Sequence, residues 1–169
     1  MNESNLQDVL DRLSNRFYGK YRGVVTDVDE ATFRVKAKLA GVLADQTTGW
    51  ARPCVPFAGK NIGMAFLPAV GAGVWIEFEG GEVSCPIFSG YYWNDGQNPT
   101  EATSKVRVIT TEGGAQILLS DDPKSITITD KDGHKIVLDS NGITISKGSQ
   151  QVVVGDSSVS INSGALEVT

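Results

Sequence analysis

The sequence predicts a mainly β chain in three parts: an N-terminal helix, a small barrel, and a C-terminal extension of stacked short strands. Two observations carry this. Apolar residues alternate with period two over most of the chain from Lys20 onward. All thirteen aromatics fall between Phe17 and Trp93, whereas residues 104 to 169 contain no Phe, Tyr or Trp and are dense in Ile, Val, Leu, Thr and Ser. A lone domain cannot readily fill a core from that second composition. Its apolar faces need cover, and identical copies of the same chain are the simplest cover.

The first element is a helix over Asn5 to Phe17, within a segment spanning residues 1–18. Leu6, Val9, Leu10, Leu13 and Phe17 fall at i, i+3, i+4, i+7 and i+11, one apolar stripe. Ser4 and Gln7 fit a capping box, and Gly19 supplies a stop. A helix of this length needs a surface to lie on, either its own domain or a neighbouring subunit.

Residues 19–93 follow as the barrel. Tyr21, Gly23 and Val25, then Phe33, Val35, Ala37 and Leu39, then Val74, Ile76 and Phe78 alternate as strands. Asp29-Glu30, Gly41, Gly49, a Gly- and Pro-rich excursion from Pro53 to Gly73, and Gly80-Gly81 separate them. About five strands with one long excursion suit an OB-fold barrel. The aromatics, Trp50, Trp75 and Trp93 among them, are expected mainly in or partly in its core. Cys54 and Cys85 lie in Pro-containing apolar runs and are expected as small buried thiols.

Residues 94–104 are polar and rich in turn formers, the profile of a linker. Residues 105–169 then repeat. Ile109 to Asp121 is echoed nineteen residues later by Ile128 to Asp139, and Ile143-Thr144-Ile145-Ser146 recurs as Val159-Ser160-Ile161-Asn162. Apolar residues come in i, i+2 pairs: Ile126 and Ile128, Ile136 and Leu138, Ile143 and Ile145, Val152 and Val154, Val159 and Ile161, Leu166 and Val168. About seven strands of this kind stack to roughly 30 Å. Left bare, the stripe is an aggregating edge. Three chains around a common axis would cover it, which makes the first ten of these residues the expected trimer core of an intertwined β-prism or β-helix. Leu166 and Val168, at the last strand, are expected to leave a blunt, partly apolar end.

Charge and motif content narrow the function. The formal net charge is -5, with nine Lys and Arg against twelve Asp and Glu up to residue 103, and six against eight afterwards. No basic block offers the phosphate contacts of a nucleic-acid interface, so no nucleic-acid partner is expected. No apolar run suits a signal peptide or a membrane span. His134 is the only histidine, which excludes a multi-His metal site within one chain; its Asp132 and Lys135 neighbours read as a solvated turn. Glu77 with Glu79, and Asp121 with Asp122, are carboxylate pairs, but strand alternation places the first outward and Pro123 places the second in a turn. No catalytic residue, metal ligand or cofactor is assigned.

Four segments of the barrel are similar to a known family: Gly19 to Asp29, Trp50 to Gly59, Leu67 to Gly71 with Val74 to Gly81, and Cys85 to Gly90. Together they resemble the OB-fold of phage baseplate spike and VgrG proteins, and Gly133-His134-Lys135-Ile136-Val137-Leu138-Asp139 resembles the opening of that family's triple-stranded β-prism. The resemblance implies a structural homotrimer, not an enzyme, at the centre of a contractile-tail baseplate, driven through a target cell envelope when the sheath contracts. It implies synthesis in a bacterial cytoplasm and assembly at the baseplate tip of a phage tail or phage-like particle. It also implies a separate hub protein, for which Leu6, Val9, Leu10, Leu13 and Phe17 are the candidate contact. The unsealed end at Leu166 and Val168, with no His-x-His apex, favours a separate PAAR-like tip protein. Phage tails, tailocins, type VI machines and extracellular injection systems all share such a part; the small size favours a phage-like baseplate. The alternatives are an OB-fold module binding single-stranded nucleic acid or sugar, and a cell-wall enzyme.

Overall fold

The computed structural model describes Leu10, residues 16–43 and residues 46–168. The helix expected over Asn5 to Phe17, with Leu6, Val9 and Leu13, therefore falls almost wholly outside the described residues. Among those that are described, the chain is mainly β and divides into two compact units, with the division between Gly96 and Gln97.

The first unit contains β1 (Tyr21–Asp29), β2 (Arg34–Leu39), β3 (Arg52–Pro53), a small hairpin of β4 (Ala58–Gly59) and β5 (Ile62–Gly63), β6 (Gly73–Phe78) and β7 (Pro86–Tyr92). The main sheet runs β2-β1-β6-β7-β3, with β3 parallel to β7 and the other pairs antiparallel. Val35 and Ala51 close the ring. Each donates its N–H to the other's carbonyl, at 3.3 and 2.8 Å, so β2 meets the segment entering β3. The result is an OB-like barrel.

Alternation fills its interior. Val25, Val35, Ala37, Leu39, Ala51, Val74, Ile76, Phe78 and Phe88 are buried together. Gly23 sits among them because a Cβ there would meet Leu39 Cδ2 at 2.8 Å. Thr48 is a buried polar residue that satisfies both its groups on Ala37: its Oγ1 accepts the Ala37 N–H at 3.1 Å and its own N–H donates to the Ala37 carbonyl at 2.9 Å. Phe17 packs against this core in a cluster with Tyr21 and Phe78, ring centroids 5.8 to 6.3 Å apart.

Several expectations for this unit need correction. Phe33 is not a strand residue; it ends the turn after β1 with φ +57, where the chain must reverse sharply. Glu79 leaves the strand and opens a 3-10 turn, so it does not share a strand face with Glu77. Most aromatics are not core. Trp50, Phe57, Phe66, Tyr91 and Trp93 are exposed, because the closed barrel is small and its interior is filled by aliphatic side chains with Phe78 and Phe88. Cys54 and Cys85 are both exposed free thiols, since the segments carrying them run along the barrel exterior.

The second unit is one eight-stranded antiparallel sheet: β8 (Val106–Thr110), β9 (Gln116–Asp121), β10 (Lys124–Thr129), β11 (Lys135–Asp139), β12 (Gly142–Lys147), β13 (Gln150–Val154), β14 (Val159–Ile161) and β15 (Leu166–Val168). Spatial order equals chain order. Short turns make this possible, and one of them is sterically specific: Gly142 has φ +114, and a Cβ there would lie 2.0 Å from the Val154 carbonyl oxygen. Every buried apolar core residue lies in the barrel, so among the described residues the sheet has no enclosed core of its own.

Candidate functional site

Register decides which side chains of the sheet share a face. Because side chains alternate at each residue, partners across a ladder lie on the same side. Followed from strand to strand, the pairing builds two parallel columns. One runs Ile109, Ile117, Ile128, Ile136, Ile145, Val152, Ile161, Leu166. The other runs Arg107, Leu119, Ile126, Leu138, Ile143, Val154, Val159, Val168.

Fifteen of these sixteen positions are Ile, Leu or Val, and most are solvent-exposed in the single chain; Ile145 is 52% exposed and Val168 61%. Seven gaps at about 4.8 Å give columns about 34 Å long. The column on the opposite face, Val108, Leu118, Thr127, Val137, Thr144, Val153, Ser160, mixes aliphatic and hydroxyl residues. The sheet thus has an apolar front and a mixed back. All ten residues predicted as trimer core lie on the front, as do Leu166 and Val168 at the β15 edge. Ile109, Ile117 and Leu119 belong with them and were not predicted. The nineteen-residue repeat signals all three, since it aligns them with Ile128, Ile136 and Leu138.

Charge borders the columns. At one side Arg107 is ion-paired with Asp121, and Lys105 Nζ lies 2.7 Å from Asp122 Oδ2. At the other, His134 Nδ1 lies 2.5 Å from Asp130 Oδ2, and the N–H groups of His134 and Asp132 donate to Asp130 Oδ1, both at 2.9 Å. Partial desolvation pushes the Asp130 carboxyl up, but these hydrogen bonds outweigh it and hold the group below its ordinary range. His134 is thus tied into its turn, and the two acidic residues at Asp121 and Asp122 are partners of basic ones. Among the described residues no cluster of three or more His, Cys, Asp or Glu is placed to hold a metal ion.

Both units match known family models. Residues 21–93 match the type VI secretion system/phage-baseplate injector OB domain, and residues 106–167 match the phage baseplate V C-terminal trimerisation domain. The chain belongs to the phage baseplate V family. The two matches span most of the chain and meet the barrel and the sheet in turn. No curated protein matches it. As a baseplate V chain it is a component of a phage-tail or type VI baseplate, and both matched families are structural. Apart from Val168, the two-column front lies within the trimerisation match.

Of the candidate hub residues, Leu10 is exposed, and Phe17 packs on the barrel core, its N–H donating to the Gly81 carbonyl at 2.9 Å. Leu6, Val9 and Leu13 lie outside the described residues.

Proposed function

We propose that three copies of this chain bring their C-terminal fronts together about a common axis, forming the central spike of a contractile-tail baseplate that pierces the target envelope on sheath contraction. The observation that supports this most directly is the pair of exposed apolar columns crossing all eight strands, all but Val168 inside a segment that matches a trimerisation domain. Burying a half-exposed Ile, Leu or Val contributes roughly 1 kcal/mol. With fifteen such side chains on each of three chains, the gain is large enough to hold the assembly against its entropy of association.

In this reading Ile126, Ile128, Ile136, Leu138, Ile143, Ile145, Val152, Val154, Val159 and Ile161 form the trimer core. Leu166 and Val168, on an edge strand with one unpaired side, receive a PAAR-like cap. Leu6, Val9, Leu10 and Leu13 contact a separate hub protein, anchored to the barrel at Phe17. The function is mechanical. Interchain packing makes local opening require separation of chains, so the spike is stiff and slow to unfold.

Light scattering after size exclusion tests this on the intact chain beside a version ending at Ser104. The expected result is a mass three times that of the 18.0 kDa chain, falling to a monomer on truncation. A monomeric intact chain would refute the proposal.

A further inference from the structure

The outer face of the barrel carries an arrangement that the spike reading does not use. Val35 and Ala51 are a reciprocal antiparallel pair, so their neighbours face one another across the same ladder: Lys36 opposite Trp50, and Arg34 opposite Arg52. The first pair is in contact, with Lys36 Nζ 4.8 Å from the centre of the Trp50 ring. The second places two arginines opposite each other, and both line one pocket. Like charges directly opposite across strands are destabilising unless an anion lies between them.

The barrel supplies that anion only in part: Asp29 interacts electrostatically with Arg34, and among the described residues no carboxylate is paired with Arg52. Among the described residues neither Arg34 nor Arg52 makes an ion pair. Asp29, the β1 partner of Arg34, interacts with it electrostatically but makes its hydrogen bonds within its own turn, where its oxygens accept the Ala31 and Thr32 N–H groups at 3.0 and 3.3 Å and the Thr32 hydroxyl at 2.5 Å. Arg34 and Arg52 instead open into a pocket of about 250 Å³ with Trp50, Glu79, Ser84 and Cys85 on its walls. Glu79 is the pocket's one carboxylate and reaches neither guanidinium.

We propose that this pocket is a carboxylate-binding site, in which Arg34 and Arg52 clamp an Asp or Glu side chain on an acidic segment of a partner protein. Guanidinium forks match a planar carboxylate in a bidentate fashion. Two guanidinium groups against the Glu79 carboxylate leave the pocket lining positive within a chain of net charge -5, and the volume admits one side chain with some water. Single-stranded nucleic acid shares the anionic chemistry but fits less well. Its binding rests on successive aromatic platforms, whereas the pocket offers Trp50 alone, with Lys36 already over its ring. The site lies wholly within the barrel unit, so it stands or falls independently of the trimer.

Fluorescence anisotropy of the intact chain tests the proposal, using a labelled hexaglutamate peptide and a labelled hexathymidylate. Arg34→Gln and Arg52→Gln are each expected to weaken peptide binding roughly tenfold or more, since each removes a charge-assisted hydrogen-bonding pair. Lys60→Gln, which removes the same charge from the β4–β5 hairpin, is expected to leave it unchanged. Equal affinity in all three variants, no peptide binding by the wild type, or Arg52-dependent binding of hexathymidylate alone would each overturn it. A melting curve gives a second readout. Arg52→Gln is expected to raise the melting temperature of the free chain by relieving the like-charge pair; a lowered one would mark Arg52 as a structural residue and overturn the site.

Discussion

Ile136 and Ile145 face each other directly across β11 and β12, in the middle of a column that spans all eight strands of the C-terminal sheet. Both are exposed in the single chain, at 37% and 52%. Two large aliphatic side chains held in register at the centre of a sheet, with no cover, are placed for contact with another surface.

Ile145→Asp is therefore expected to abolish the trimer while leaving the single chain folded. Three carboxylates would meet near the axis, and each buried unpaired charge costs several kcal/mol. Thr144→Asp, one residue along and on the opposite face, is expected to leave the trimer intact. Sedimentation of the two variants side by side checks the pair, and a trimer of Ile145→Asp with unchanged melting temperature would refute the axial placement.

Gly142→Ala is expected to disrupt the β12–β13 pairing. The added Cβ would fall 2.0 Å from the Val154 carbonyl, at a φ of +114 that side chains rarely adopt. A loss of about 3 kcal/mol or more follows from clash and backbone strain together. Hydrogen exchange should show lost protection at β12 and β13 with the barrel unchanged.

Phe88→Ala targets the barrel alone. Phe88 is 1% exposed and packs in the core beside Ile76 and Phe78. Truncation is expected to cost about 3 to 5 kcal/mol from lost transfer energy and the cavity left behind. Denaturant unfolding of the 1–104 fragment measures this without the sheet.

Glu77 provides a small pH dependence. Its carboxylate is held below its ordinary pKa first by Lys20, with which it is ion-paired, and then by the Ser89 hydroxyl at 3.0 Å. A group with a depressed folded pKa contributes stability above its unfolded value, about pH 4.3, and loses that contribution as the pH falls through the folded value. More than a third of the Glu77 side chain is exposed, so solvent screening limits the effect to about 1 kcal/mol or less. Glu77→Gln is expected to lower barrel stability slightly at pH 7 and not at all near pH 2, as read from paired melts.

The front of the sheet was legible because it is written locally. Ile143 and Ile145, or Ile136 and Leu138, reveal their shared face by spacing alone, and the turn glycines and asparagines fix where each strand ends. The barrel was legible in outline for the same reason, through Val25, Val35, Ala37, Leu39, Val74 and Ile76. What sequence did not show was non-local or geometric. Phe33 continues the alternation of β2 on paper, yet the turn requires a left-handed residue there. Trp50 and Trp93 are large and apolar, but the barrel has no room for them. The opposition of Arg34 and Arg52 arises from the pairing of Val35 with Ala51, sixteen positions apart, which no local pattern announces.

The order of the C-terminal sheet has a kinetic consequence. Each strand is hydrogen-bonded only to its neighbours in sequence, so a single chain can build the sheet hairpin by hairpin with little loop closure to wait for. Covering its columns is different in kind, because that requires chains to find one another. In the proposed trimer the slow step is then encounter, its rate rises with protein concentration, and the interval between sheet formation and encounter is when the chain is most exposed to misassociation.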